Sequence, residues 1–96
     1  MKLEFHPHTV TDYNEASDHY EGISSALQWQ FRGEILAAID RILANPFLYV
    51  EVEGIRRALL NRFPYSVVYR IVEDDTIRVL VIRHHKRHPE FGRDRG

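Results

Sequence analysis

The sequence contains no cysteine, and this absence excludes a disulfide framework, a thiolate metal site and a cysteine nucleophile. Long hydrophobic runs are missing too: no stretch approaches the roughly 18 to 20 consecutive apolar residues that are needed to span a bilayer. Met1 and Lys2 lead directly into Glu4, without the apolar segment of a secretory signal. We therefore expect a cytoplasmic protein that makes no contact with a membrane.

Motifs for metals and cofactors are also absent. The chain has no glycine-rich phosphate loop, and its histidine clusters, His6-Pro7-His8 and residues 84–88, have no recognised zinc spacing. Lys86 and Arg87 would repel a dication bound at the second cluster. The histidines are most simply polar residues at strand ends, and we expect neither a metal ion nor a cofactor.

What is present fits a single small domain covering residues 1–96. Of the 96 residues, 44% are hydrophobic and 28% are charged, which is ordinary globular usage. A domain of this size buries only about 60 to 65% of its unfolded surface, so a bound partner or oligomerisation would add stability.

The formal net charge of −1 hides two oppositely charged halves. Residues 1–55 carry three basic and nine acidic residues, a net charge of −6, whereas residues 56–96 carry ten basic and five acidic residues, a net charge of +5. Such asymmetry indicates that one face of the protein meets an anionic partner.

Hydrophobic spacing predicts a strand at Lys2–Phe5, followed by a helix that starts at Pro7 and ends before Gly22. The predicted apolar stripe of this helix consists of Val10, Tyr13, Ala16 and Tyr20. Its predicted solvent-exposed side consists of Asp12, Glu15, Asp18 and Glu21.

The rest of the chain predicts a second helix and three more strands. A capping box of Ser25 and Gln28 marks the start of the helix, and Asn45-Pro46 marks its end. The hydrophobic period then changes to two, which predicts strands at residues 55–63, 65–72 and 76–84 with a hairpin turn at 73–76. We expect an α+β fold: strand, helix, helix, then a three-stranded antiparallel meander, with the helical hairpin packed on one face of the sheet.

The basic half supplies most of the candidate binding residues. Arginines pair bidentately with phosphate, and tyrosines stack on bases. The candidates for binding a target or a nucleic acid are Arg56, Arg57, Tyr65, Arg83 and Lys86. The alternative is a solvated sheet face whose aromatic residues belong to the core, and composition alone favours this alternative slightly.

The second helix carries one further candidate, Trp29. Trp29 and Phe31 point about 200° apart on a helix, so only one of them can lie on the main apolar stripe. Phe31 lies on that stripe and is expected in the core. Trp29 lies off it and is a candidate contact for a protein partner, since tryptophan is enriched at binding hot spots.

Two segments of the basic half resemble a known family. Residues 55–71, IRRALLNRFPYSVVYRI, and residues 79–89, VLVIRHHKRHP, are similar to toxins of the RelE/ParE superfamily of bacterial type II toxin–antitoxin systems. The most specific pieces are Phe63-Pro64-Tyr65 and His84-x-x-Arg87-x-Pro89. Similarities at residues 5–12, Phe31 and Asn45-Pro46 extend the match over nearly the whole chain, and the resemblance implies the same fold.

The resemblance implies two alternative activities. RelE-like members are ribosome-dependent endoribonucleases, whereas ParE-like members inhibit DNA gyrase. On the RelE-like alternative, Arg62 and Arg87 would hold the cleaved phosphate and His84 would serve as acid or base, with Arg57 at a further matching position.

Three features favour the ParE-like alternative, and with it a growth-arresting gyrase inhibitor. No lysine lies between Lys2 and Lys86, so the lysine pair of the nucleases is missing. The overall basicity is weak for a protein that enters the ribosome. The Phe63-Pro64-Tyr65 and His84-x-x-Arg87 patterns also look ParE-like. The resemblance further implies a cognate antitoxin in a hetero-oligomer, and Trp29 is then the candidate contact for it. A degenerate member that only binds antitoxin is the third alternative.

Overall fold

The computed structural model describes residues 1–73 and 75–95. In chain order it contains β1 (Lys2–Phe5), α1 (Pro7–Glu21), α2 (Ser25–Ala44), β2 (Arg56–Leu59), β3 (Tyr65–Val72), β4 (Thr76–His84) and a 3-10 turn (Arg93–Arg95). The strands form one sheet in the order β1-β4-β3-β2, in which β1 runs parallel to β4 and the other neighbours are antiparallel. The predicted α+β order is therefore confirmed. Asp74, which the sequence places in the turn between β3 and β4, lies outside the described residues.

Both helices pack on the same face of the sheet, as predicted. α1 lies against β4, and α2 lies against β2 and β3. Phe31 at the centre of this layer is fully buried, and its ring centroid lies 5.1 Å from that of Tyr20 and 5.2 Å from that of Tyr65. These inclined ring pairs are a favourable aromatic geometry and anchor the helical hairpin to the start of β3.

A bulge in β4 decides which side chains face the helices. Val68 on β3 is opposite Val81, but Tyr69 is opposite Val79, so Leu80 has no partner on β3. An extra residue shifts the alternation of side chains by one position. Val79 therefore faces the helices, Leu80 and Val81 both face away, and from there the alternation resumes. The bulge thus sends Arg83 to the helix-free face and His84 to the helical face.

The start of α2 differs from the prediction. Ser24, not Ser25, is the N-cap, and its Oγ accepts a hydrogen bond from the Leu27 N–H at 3.1 Å. Ser24 has the extended backbone that an N-cap requires, with φ −164° and ψ 149°, whereas Ser25 is already helical. Gln28 is not part of a capping box: its Nε2 donates to Ser17 Oγ at 2.9 Å and links the two helices.

β2 ends at Leu59 rather than at Phe63 as predicted. The carboxylate of Glu34 on α2 accepts hydrogen bonds from the backbone N–H groups of Asn61 at 2.9 Å and Arg62 at 3.1 Å. Because these donors are directed at a helix side chain, the chain leaves the ladder and turns towards β3 at this point.

The predicted faces of α1 were wrong at two positions. Val10 is 56% exposed, and the buried residues of α1 are Thr9, Ala16 and Ser17. Asp12, assigned to the solvent side, is nearly buried. β1 ends at Phe5, opposite Val79, so within the described residues no strand pairs with the last part of β4 on that edge, and Asp12 accepts a hydrogen bond from the Ile82 N–H at 3.2 Å instead. Thr9 is buried because its Oγ1 donates to the Val79 carbonyl at 3.2 Å, where β1 ends.

Candidate functional site

Most of the candidate residues line one of two depressions on opposite faces of the sheet. On the helical face is a small depression of about 120 Å³, here called the His84 cleft. It is lined by Asp12, Glu15, Ala16, Tyr65, Ile82, His84, Arg87 and Phe91. On the helix-free face is a larger one of about 590 Å³, here called the arginine groove. It is lined by Val50, Val52, Ile55, Arg56, Arg57, Leu59, Val68, Arg83, Pro89 and Arg93.

His84 lies at the end of β4 and contacts Tyr65, its register partner on β3. The two ring centroids are 4.9 Å apart and the rings are nearly perpendicular, at 80°. His84 Nδ1 accepts a hydrogen bond from the Lys86 N–H at 3.0 Å, so the neutral ring carries its proton on Nε2. Burial, reinforced by the nearby charge of Lys86, lowers the pKa of His84. At neutral pH the ring therefore presents a hydrogen-bond donor and has no free lone pair with which to act as a base.

Arg87 lies in the same cleft, together with two carboxylates. Its guanidinium carbon lies 4.6 Å from the centre of the Phe91 ring. Asp12 and Glu15 also line the cleft. The charge of Asp12 is matched by Arg95, and Glu15 adds a second negative charge. The negative charge of Glu15 opposes the binding of a phosphate group in the cleft.

Two of the predicted residues lie elsewhere. Arg62 is exposed on the turn between β2 and β3, where the Glu34 carboxylate holds its backbone N–H. Lys86 is exposed just after β4, and its backbone rather than its side chain contacts His84. The structure therefore brings Tyr65, His84 and Arg87 together in the His84 cleft, and neither Arg62 nor Lys86 is among its lining residues.

The arginine groove combines cationic and apolar side chains. Arg83 is buried there, and its Nη1 donates to the Pro89 carbonyl at 2.9 Å. Burial lowers the pKa of Arg83, and the positive charges of Arg57 and Arg93 lower it further. Concentrated positive charge beside the apolar Val52 and Leu59 matches a ligand that carries both anionic and apolar groups.

Arg56 and Arg93 hold the walls of this groove. Arg56 Nη1 donates to the Tyr49 carbonyl at 2.5 Å, and Arg56 Nη2 lies 3.6 Å from the Glu51 carboxylate. Arg93 forms a hydrogen-bonded ion pair with Glu53, and the hydrogen bond from Arg93 to Glu53 raises the pKa of Arg93. These contacts fix the segment between α2 and β2 on one side of the groove and the C-terminal segment on the other.

The ion pair between Asp12 and Arg95 was not predicted from the sequence. Arg95 Nη1 lies 2.5 Å from Asp12 Oδ2, and the same nitrogen donates to the Leu80 carbonyl at 3.0 Å. The two side chains are only 10% and 12% exposed. No sequence pattern relates two residues so far apart in the chain; the only indication was that Asp12 belonged to the first segment of family resemblance.

Trp29 is 66% exposed on the outer side of α2, while Phe31 is fully buried, as their positions on the helix predicted. The guanidinium carbon of Arg32 lies 5.7 Å from the centre of the indole. Trp29 thus lines neither depression and is exposed to solvent.

The described residues contain neither a metal-binding cluster nor a membrane-spanning helix. Within residues 1–73 and 75–95, no three histidine, aspartate or glutamate side chains are grouped so that they could hold a metal ion. Among the helices of that same part of the chain, none is long and apolar enough to cross a membrane.

The sequence matches the model of one toxin family, and the fold is similar to a chain from a system of the same type. A family model described as the ParE toxin of the type II toxin–antitoxin system parDE matches residues 3–89. A solved structure of the chromosomal ParDE TA system from P. aeruginosa contains a chain with 25% sequence identity and a TM-score of 0.72, over 88% of this chain and 95% of that chain. No curated protein matches the sequence.

Proposed function

The chain belongs to the ParE toxin family of type II toxin–antitoxin systems, and we propose that it arrests growth by inhibiting DNA gyrase until a cognate antitoxin neutralises it. It would act in the cytoplasm, where gyrase works. The gyrase target is preferred to RNA cleavage because of the composition of the His84 cleft.

That cleft is poorly suited to cutting a phosphodiester. Nδ1 of His84 is already occupied by the Lys86 N–H, so the ring lacks a free lone pair for proton abstraction. Glu15 lines the cleft, where its carboxylate would repel the substrate phosphate, whereas the charge of Asp12 is offset by Arg95. Arg62, the second predicted phosphate ligand, lies on the turn between β2 and β3. A protein target makes none of these chemical demands.

The arginine groove is the surface that we assign to target and antitoxin. Arg57 and Arg83 supply positive charge in it, and Val52 and Leu59 supply exposed or partly exposed apolar surface. An acidic antitoxin segment lying in the groove would cover the residues that meet the target, which explains neutralisation by simple competition. Trp29 is proposed as a second antitoxin contact, outside the groove.

The first experiment is induced expression of this chain with and without a co-expressed candidate antitoxin. Growth should stop in its absence and continue in its presence. Purified toxin should then inhibit gyrase supercoiling, and Arg57→Gln should raise the inhibitory concentration about tenfold, the effect of losing one well-placed charge contact. Lys2→Gln, which removes an equally exposed charge from β1 at the other edge of the sheet, is the matched control.

The runner-up function is ribosome-dependent mRNA cleavage, and one observation favours it: Tyr65, His84 and Arg87 do line one cleft. Cleavage that disappears in both His84→Gln and Arg87→Gln would establish this function and overturn the gyrase proposal. Normal growth without antitoxin would instead leave the third alternative, a module that only binds its antitoxin.

A further inference from the structure

The outer side of α2 carries an apolar stripe that is largely exposed to solvent. Trp29, Leu36 and Leu43 are spaced seven residues apart and are 66%, 50% and 40% exposed. Residues seven apart fall on almost the same side of a helix, two turns from each other. Apolar residues repeated at this spacing are typical of a helix that packs along another helix.

Gly33 lies on the same side of α2, next to this stripe. A Cβ added at Gly33 would meet nothing within 4 Å, so no contact inside the chain requires a glycine there. A glycine in a helix interior costs about 1 kcal/mol relative to alanine. Because glycine has no side chain, a neighbouring helix can approach α2 closely at Gly33, beside the exposed apolar side chains. Such an approach would explain why a residue that disfavours helix occupies this position.

The stripe is complementary to itself when read in the opposite direction. An antiparallel copy of α2 centred on Leu36 brings Trp29 level with Leu43 of the second copy. The same register brings Arg32 level with Asp40 of the second copy, and both side chains are exposed. Two-fold symmetry repeats each pairing, so one register gives two apolar pairs and two pairs of opposite charge. Antiparallel alignment also places the helix dipoles favourably.

We propose that two copies of the free toxin associate through α2, antiparallel about a two-fold axis at Leu36. This inference is independent of the cellular target, because it concerns the purified chain alone. Since Trp29 is also the proposed antitoxin contact, a second copy and the antitoxin would exclude each other at this helix.

The association is measured on the full chain over a dilution series, by sedimentation equilibrium and by tryptophan emission. Trp29 is the only tryptophan in the sequence, so its emission reports this helix alone. We expect a dimer at high concentration and a red shift of the emission on dilution, as the indole returns to water. A chain that sediments as a monomer up to about 1 mM, where an association of only roughly 4 kcal/mol is still detectable, overturns the proposal.

Charge reversal then tests the register. Arg32→Glu and Asp40→Arg should each weaken the dimer about tenfold, since each replaces two attractive pairs by two repulsive ones. The double variant should recover most of the loss, because it exchanges the charges without removing the pairing. Asp18→Arg on the exposed side of α1 makes the same change of charge away from the stripe and should leave the dimer unchanged.

Leu36→Glu gives an independent check, because it brings two carboxylates together at the axis. It should abolish the dimer while the circular dichroism spectrum of the monomer stays that of the wild type. A dimer that survives Leu36→Glu, or a double reversal that recovers nothing, places the interface elsewhere and refutes the α2 pairing.

Discussion

Replacing Arg95 by alanine removes the positive charge that faces Asp12 beneath the end of β4. The Asp12 carboxylate is 10% exposed, and it would keep only the Ile82 N–H as a partner in place of the charged contacts at 2.5 and 3.3 Å. The Leu80 carbonyl would also lose its donor. The variant therefore leaves both a charge and a backbone acceptor inadequately paired at the unprotected edge of β4.

The expected loss of unfolding free energy is about 2 to 3 kcal/mol. Breaking a fully buried ion pair from one side costs about 3 to 5 kcal/mol, and the value here is lower because both side chains retain some contact with water. For a chain of this length, each 1 kcal/mol lowers the Tm by about 4 to 8 °C, so a fall of roughly 10 to 20 °C is expected. Urea unfolding followed by circular dichroism measures the free energy, and calorimetry measures the Tm.

Arg93→Ala is the matched control, because Arg93 belongs to the same C-terminal turn but pairs with the exposed Glu53 and Glu90. It should cause a clearly smaller loss than Arg95→Ala. A double-mutant cycle with Asp12→Asn should show a coupling of about 1 to 2 kcal/mol between the two side chains. Equal losses in Arg93→Ala and Arg95→Ala, or no coupling to Asp12, would refute this account of the buried pair.

Three further predictions concern the fold. Gly92→Ala should lower the free energy of unfolding, measured in urea, by about 2 to 4 kcal/mol, because Gly92 has φ +84° and an added Cβ would lie 2.8 Å from Val81 Cβ. Gly33→Ala should instead raise the free energy of unfolding by about 0.5 to 1 kcal/mol. Similar values for the two variants would contradict the conclusion that only Gly92 is required by the fold. Burial raises the pKa of Tyr69 to about 12, so the unfolded chain loses the phenol proton at a lower pH than the folded one, and stability should fall between pH 10 and about 12. The same fall in stability in a Tyr69→Phe variant would show that Tyr69 does not cause it. The pKa of His84 is lowered by burial and then by Lys86, so protonation of the ring favours the unfolded state and stability should decline as the pH falls below 6.5. The decline should be smaller in His84→Gln, and an NMR titration should follow protonation of the ring in the wild type.

The main elements of the fold followed from local patterns. The helix ending before Gly22, the stop at Asn45-Pro46 and the strands at 65–72 and 76–84 were all predicted with nearly correct bounds. Each of these depends on residues within a few positions of one another, such as a proline that disfavours helical geometry before it. The separation of Phe31 from Trp29 has the same origin, because helix geometry alone sets the angle between them.

The errors arose where distant residues decide the structure. β2 is shorter than predicted because Glu34, on α2, takes the backbone donors of Asn61 and Arg62. Asp12 is buried because Arg95 and the unpaired edge of β4 face it. Neither partner is visible from the sequence around the affected residue.

By itself, the sequence determined the family, the order of helices and strands, and the basic character of the second half. Only the tertiary structure decided how the basic residues are divided between the two faces of the sheet. The bulge at Leu80 shifts the alternation of β4 by one residue, so that His84 faces the helices and Arg83 faces the helix-free side, whereas unbroken alternation from Val79 would exchange them. Periodicity cannot show such a shift, because it depends on how two strands pair rather than on either strand alone.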